Sequence, residues 1–183
     1  MSTGVLVADG LTHEGFDVRD PVLEGARFLK VTNARHAYCE IIISEKGAVT
    51  WEYRRFDGRL GPAQITDMAM SILGAGRAGC EDVSLTQQQP GQTLKGIVGR
   101  ALRERGMQVR VKVLNPDDLC ELDAEVCAVN PAMPGRGTAR VNDQGMVRWD
   151  CRLSTPAAPN QGIAPDELVK TIADALLLAG QTG

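Results

Sequence analysis

Gly47-Ala-Val-Thr-Trp-Glu-Tyr-Arg54 and Gly145-Met-Val-Arg-Trp-Asp-Cys-Arg152 lie 98 residues apart and carry Gly, Val, Trp and Arg at the same four places. Both tryptophans of the protein fall in these octapeptides. In each, apolar positions alternate with polar ones, and the glycine stands where a tight turn needs a left-handed backbone. Each octapeptide therefore reads as the second strand of an antiparallel hairpin whose apolar face carries the tryptophan.

The match extends outward at the same offset. Ala26 to Arg55 lies over Ala124 to Leu153 without a gap, adding Ala26/Ala124, Val31/Val129 and Ala34/Ala132, with Ile43/Val141, Glu45/Asp143 and Glu52/Asp150 chemically alike. Seven of these thirty positions are identical. Because they keep a turn glycine and a buried-type tryptophan in register, they point to an internal duplication. Ahead of the first octapeptide, Ala37, Cys39, Ile41 and Ile43 share one strand face, and Ser44-Glu-Lys-Gly47 makes the turn; Asn142-Asp-Gln-Gly145 is its counterpart. A further strand is expected near Arg27 to Thr32 and again near Ala124 to Val129.

Helices follow each hairpin. Gly61-Pro62 and Ala164-Pro165-Asp166-Glu167 suit a first helical turn, because proline has no N–H to lose there and acids favour the positive helix end. Ile65, Met68, Ala69, Ile72 and Leu73 then correspond to Val169, Ile172, Ala173, Leu176 and Leu177 at helical spacing. Gly74 or Gly76 ends the first helix and Gly180 the second. Gln87-Gln-Gln-Pro-Gly91 reads as a linker into another helix from Leu94 to Arg105, stopped by Gly106. Met107 to Val113 alternates as a strand with Gln108, Arg110 and Lys112 facing water, and Val5 to Val7 is expected as a short strand.

These elements predict an α+β fold built from an internally duplicated unit. Each half is a small antiparallel sheet of about three to four strands followed by a helix packed on one face. Residues 1–80 form the first β-β-β-α repeat, 81–92 the linker, and 93–183 the second repeat with an extra leading helix and strand. The sequence leaves open whether the halves sit as separate domains or fuse into one pseudo-symmetric sheet; two similar modules packed together are favoured, since a three-stranded sheet with one helix is a small core. The order of strands then helix is similar, at the level of fold alone, to secretion chaperones, and no motif carries that likeness to a function.

A chain of 183 residues can bury a core without disulfides or metals. No segment approaches the roughly 18 to 20 apolar residues of a membrane span, and residues 1–20 lack the basic start and apolar stretch of a secretory signal, so no membrane association and a cytoplasmic location are expected. The net charge of −3, with basic residues dispersed, weighs against nucleic acid as a partner. Five cysteines, Cys39, Cys80, Cys120, Cys127 and Cys151, make an odd number, several of them in strand-like runs, and read as reduced thiols.

Catalytic signatures do not emerge. His36 and Cys39 are three apart, so in a strand they point to opposite faces and cannot act as base and nucleophile. With two histidines and no Cys-x-x-Cys spacing, no zinc site is assigned. Gly91-Gln-Thr-Leu-Lys-Gly96 lacks the spacing of a phosphate loop, and Arg54-Arg55-Phe-Asp-Gly-Arg59, short and carrying an acid, reads as a solvated loop. No catalytic residue, metal ligand or cofactor is therefore named. The candidate interaction surface is Glu52, Arg54, Asp150 and Arg152, which alternate with the tryptophans and so share the opposite strand face, either as solvated ion pairs or as a two-part surface for a partner. Trp51 and Trp149 belong to the core or to a crevice between the repeats. The function expected is that of a non-enzymatic interaction protein, a regulatory or chaperone-like binder with a protein partner or self-association. The alternative is a small-molecule-binding protein or enzyme with its site in the crevice between the repeats.

Overall fold

A computed structural model of the chain describes residues 2–20, 22–23, 26–32, 37–55, 60–75, 92–113, 124–154 and 162–180. In chain order the elements are α1 (Thr3–His13), β1 (Asp17–Arg19), β2 (Val22–Leu23), β3 (Ala26–Thr32), β4 (Ala37–Ser44), β5 (Ala48–Arg55) and α2 (Pro62–Ile72). Then come α3 (Leu94–Glu104), β6 (Gln108–Val113), β7 (Ala124–Val129), a 3-10 turn (Pro134–Arg136), β8 (Thr138–Val141), β9 (Val147–Arg152) and α4 (Pro165–Gly180). Among the described residues the fold is α+β, with one antiparallel sheet and four helices.

The strands form a single sheet in the order β1-β3-β4-β5-β9-β8-β7-β6, with β2 beside β1 on the outer side of β3. This corrects the expectation of two packed modules, each with its own sheet. The last strands of the two hairpins, β5 and β9, pair with each other, so two edges that would otherwise present bare N–H and C=O groups close into one ladder. The strand order reads the same from either end, and Trp51 stands directly opposite Trp149 at its middle.

Local chemistry accounts for the elements. Gly47 and Gly145 both adopt φ of +78°, and their N–H groups close the hairpin turns onto Ser44 O at 3.0 Å and Asn142 O at 3.2 Å. A side chain there would strain the turn. Helix α2 opens on Gly61, whose N–H donates to Gln64 Oε1 at 3.0 Å, and α3 on Thr93, whose Oγ1 accepts from Gly96 N at 3.2 Å. The strand expected at Val5 to Val7 is instead part of α1. Gly4, Val7, Ala8 and Leu11 recur at helical spacing and form its buried side, a period that the β-branched residues obscured. The second half's leading helix and strand thus have counterparts, α1 and β1, in the first, and the two leading helices end alike: Phe16 N–H donates to Leu11 O at 3.1 Å, Met107 N–H to Leu102 O at 3.0 Å. The proposed linker, Gln87 to Gly91, lies outside the described residues.

The helices line up as α1, α4, α2, α3 on one face of the sheet. Helix α4 lies over β4 and beside α1, whereas α2 lies over β9 and beside α3. Each hairpin's following helix therefore covers strands of the other half, rather than its own sheet as expected. Burial explains the exchange: Leu29, Ile41, Trp51, Val141 and Trp149 merge with Ile65, Met68, Leu168 and Ile172 into one continuous core, and a single core removes more apolar surface from water than two small ones. Arg136, buried at the end of the 3-10 turn, ties this layer together, with Nη2 donating to Thr171 Oγ1 at 2.9 Å, Nη1 paired with Glu167, and Nε on Ile72 O at 3.4 Å.

Candidate binding face of the sheet

Alternation decides which side chains the helices cover. In β5, Val49, Trp51 and Tyr53 are buried, so Thr50, Glu52 and Arg54 point the other way; in β9, Val147, Trp149 and Cys151 are buried, so Arg148, Asp150 and Arg152 do. Among the described residues no helix lies on that second face. The sequence-named residues Glu52, Arg54, Asp150 and Arg152 all stand on it, near the seam where β5 meets β9.

Across the seam Thr50 Oγ1 donates to Asp150 Oδ1 at 3.0 Å, the two residues being direct partners in the ladder. Arg54 Nη2 lies 3.2 Å from Glu52 Oε2 and 3.9 Å from Glu40 Oε2. The hydrogen bond to Glu52, with smaller help from the field of Glu40, raises its pKa and fixes it as a cation. Asp150 pairs with Arg140 and, at 3.6 Å, with Arg148 Nε; Arg140 also reaches Glu125 Oε2 at 3.7 Å. Arg152 is exposed, and among the described residues its side chain makes no hydrogen bond or ion pair.

The charge on this face is uneven. Over β1 and β3 to β5 it carries Arg19, Lys30 and Arg54 against Asp17, Glu40 and Glu52, which balance. Over β6 to β9, Arg110, Lys112, Arg140, Arg148 and Arg152 face only Glu125 and Asp150. A chain of net charge −3 thus gathers a net positive field on one half of one sheet face. Gln108, Arg110 and Lys112 are exposed, as their alternation in the sequence indicates. Arg140 was not singled out from the sequence; its signal is alternation with Ala139 and Val141 in β8, both buried.

Trp51 and Trp149 are 0 % exposed and belong to the hydrophobic core. Trp149 Nε1 donates to Arg136 O at 2.6 Å, and the Arg136 guanidinium lies 5.7 Å from its ring centre. Trp51 Nε1 has no oxygen or nitrogen partner among the described residues. Its neighbour Cys39 has a thiol pKa pushed up to about 12, burial outweighing the favourable approach of the Trp51 N–H. Burial also lifts Cys151 to about 12, and raises Cys127 above its ordinary value. These thiols are protonated at neutral pH and unreactive. His36, Cys80, Cys120 and the run from Phe56 to Arg59 lie outside the described residues. Among the described residues no group of three or more His, Cys, Asp or Glu is placed to hold a metal ion.

Two clefts are relevant. One, of about 360 Å³, sits on the seam between Ala48 to Thr50, Asp150 to Arg152 and the Pro134–Gly137 segment. The other, of about 410 Å³, lies between α1 and α4 beside His13, Asp166 and Asp174. No family model, no curated protein and no solved structure matches this chain.

Proposed function

We propose that the protein is a non-enzymatic binding protein that presents the open face of its sheet, Arg152 and Arg148 foremost, to an acidic protein partner. The observation that supports this reading is the charge division: five cations against two carboxylates over β6 to β9, on the sheet face that no helix covers among the described residues. Charge of one sign gathered on a surface steers partners of the opposite sign and excludes like-charged ones. A protein fits better than a nucleic acid. The cations are interleaved with Glu125 and Asp150, a mixed pattern that suits interfacial ion pairs, and the basic half lacks the aromatic platforms on which bases stack.

On this reading the chain is a duplication fused into one symmetric body, with the second copy diverged at its surface while the first keeps its charges paired. The strand order and the facing tryptophans support that origin.

The test compares proteins captured by the wild-type chain, by an Arg148→Glu/Arg152→Glu variant, and by Leu177→Asp on the opposite, helical side, where Leu177 is 59 % exposed. Sedimentation of each separates self-association from partner binding. Binding that is lost in the first variant, retained in the second and weakened by salt supports the reading. Binding that ignores the arginines, or that needs Leu177, overturns it.

A further inference from the structure

The two halves treat one arginine differently. Arg54 and Arg152 hold corresponding places, on β5 and β9, each seven residues after its turn glycine. Arg54 is neutralised by Glu52 and Glu40. At the position corresponding to Glu40 the second half has Thr138, and the position corresponding to Glu52 is Asp150, whose carboxylate is already taken by Arg140, Arg148 and Thr50. Among the described residues Arg152 is thereby left without a counter-charge.

The backbone differs at the same spot. Strand β4 begins at Ala37, but β8 begins only at Thr138, three residues later in the correspondence. In place of those residues the chain runs through Pro134–Arg136 and Gly137. Gly137 has φ of +84°, and a Cβ on it would overlap the Asp150 carbonyl and come within 2.8 Å of Cys151 Cα. The segment is thus held against β9 on a residue only glycine can supply. Between it and Ala48 and Thr50 on the other side lies the cleft of about 360 Å³ that Arg152 lines.

We propose that this notch is a carboxylate-binding site, with the Arg152 guanidinium as the group that recognises the ligand. Its volume lies at the lower end of the range of small-ligand sites, roughly 300 to 1,000 Å³, which suits a small carboxylic acid or the side chain of a glutamate or aspartate. A guanidinium presents two parallel N–H donors that match a planar carboxylate. One fork fits a single negative charge. A phosphate dianion would need further donors, and the Thr50 hydroxyl that lines the notch already donates its proton to Asp150. The site stands on the local geometry alone, whether or not the wider face docks a partner.

The test is a titration of the isotope-labelled full chain with glutarate, with an acetylated tetraglutamate peptide and with inorganic phosphate, following the amides of Thr50, Gly135 and Gly137 by NMR. Saturable shifts with either carboxylate probe, weakened on the order of tenfold or more in Arg152→Gln and unchanged in Lys170→Gln on α4, support the site. Binding by glutarate identifies a free small acid as sufficient; binding by the peptide alone identifies an acidic side chain of a macromolecule as the source. Absence of saturable shifts with both, shifts that survive in a folded Arg152→Gln variant, or phosphate binding as tight as carboxylate overturns the proposal. A chain that fails here but loses its protein partner with Arg148→Glu/Arg152→Glu keeps the wider face and loses only the notch.

Discussion

Trp51 and Trp149 face each other across the β5 and β9 seam, yet only Trp149 has its indole N–H on an oxygen, the Arg136 carbonyl at 2.6 Å. The two rings are equally buried and occupy matching places, so the hydrogen bond separates them. Replacing either by Phe removes similar ring volume. Trp149→Phe also leaves a buried carbonyl unpaired, at a cost of about 1 to 3 kcal/mol. Urea unfolding should therefore show Trp149→Phe less stable than Trp51→Phe by about that amount. Equal losses would mean that the bond contributes nothing to the seam.

Gly137 and Gly15 both have positive φ, but their surroundings differ. A Cβ at Gly15 meets nothing within 4 Å, whereas at Gly137 it collides with the backbone of Asp150 and Cys151. Gly15→Ala should cost about 1 kcal/mol, the ordinary penalty of a left-handed alanine. Gly137→Ala must also push the segment off β9, and should cost about 3 kcal/mol or more. Thermal melts of the two variants measure the difference, and a Gly137→Ala protein as stable as Gly15→Ala would show that the segment is not tightly held.

The buried thiols set an alkaline limit. Cys39 and Cys151 have pKa values of about 12 in the folded chain against 9.0 for the ordinary thiol. Both are raised, so their protonated forms are favoured by folding. Their contribution is intact below pH 9 and is lost as the unfolded chain ionises its thiols between about pH 9 and 12. Stability should fall across that window, and the slope should flatten in Cys39→Ala/Cys151→Ala. Site-resolved alkylation at neutral pH should leave both thiols unmodified until the chain unfolds; rapid labelling of either in the native protein would contradict the burial.

Local signals were legible in the sequence wherever one element determines its own form. The hairpin turns at Gly47 and Gly145, the helix starts at Pro62 and Pro165, and the alternation of Gln108, Arg110 and Lys112 are all short-range chemistry. What escaped was the pairing of β5 with β9 and the crossing of α2 and α4 to the opposite halves, because such contacts depend on which edges and apolar faces remain free once the hairpins exist. Val5 to Val7 misled for a related reason: three apolar residues look alike in a strand and in a helix, and packing against the core decides. At the site, alternation placed Glu52, Arg54, Asp150 and Arg152 on one face. It could not show that Asp150 serves Arg140 rather than Arg152, since that partner arrives from the neighbouring strand.

Arg140 and Arg152 therefore make a sharp pair for mutation. Arg140 is held between Asp150 and Glu125, with a side chain 20 % exposed against 11 % for Glu125. Removing it leaves a largely buried carboxylate without its cation, and Arg140→Ala should lose about 2 to 4 kcal/mol. Arg152 is exposed and unpaired among the described residues, so Arg152→Ala should stay within about 0.5 kcal/mol of wild type. Denaturant titration of both variants decides the point. A neutral Arg152→Ala would show that the cation is not spent on folding, which the carboxylate site requires; a destabilised one would assign it to the sheet and remove the free charge from the notch.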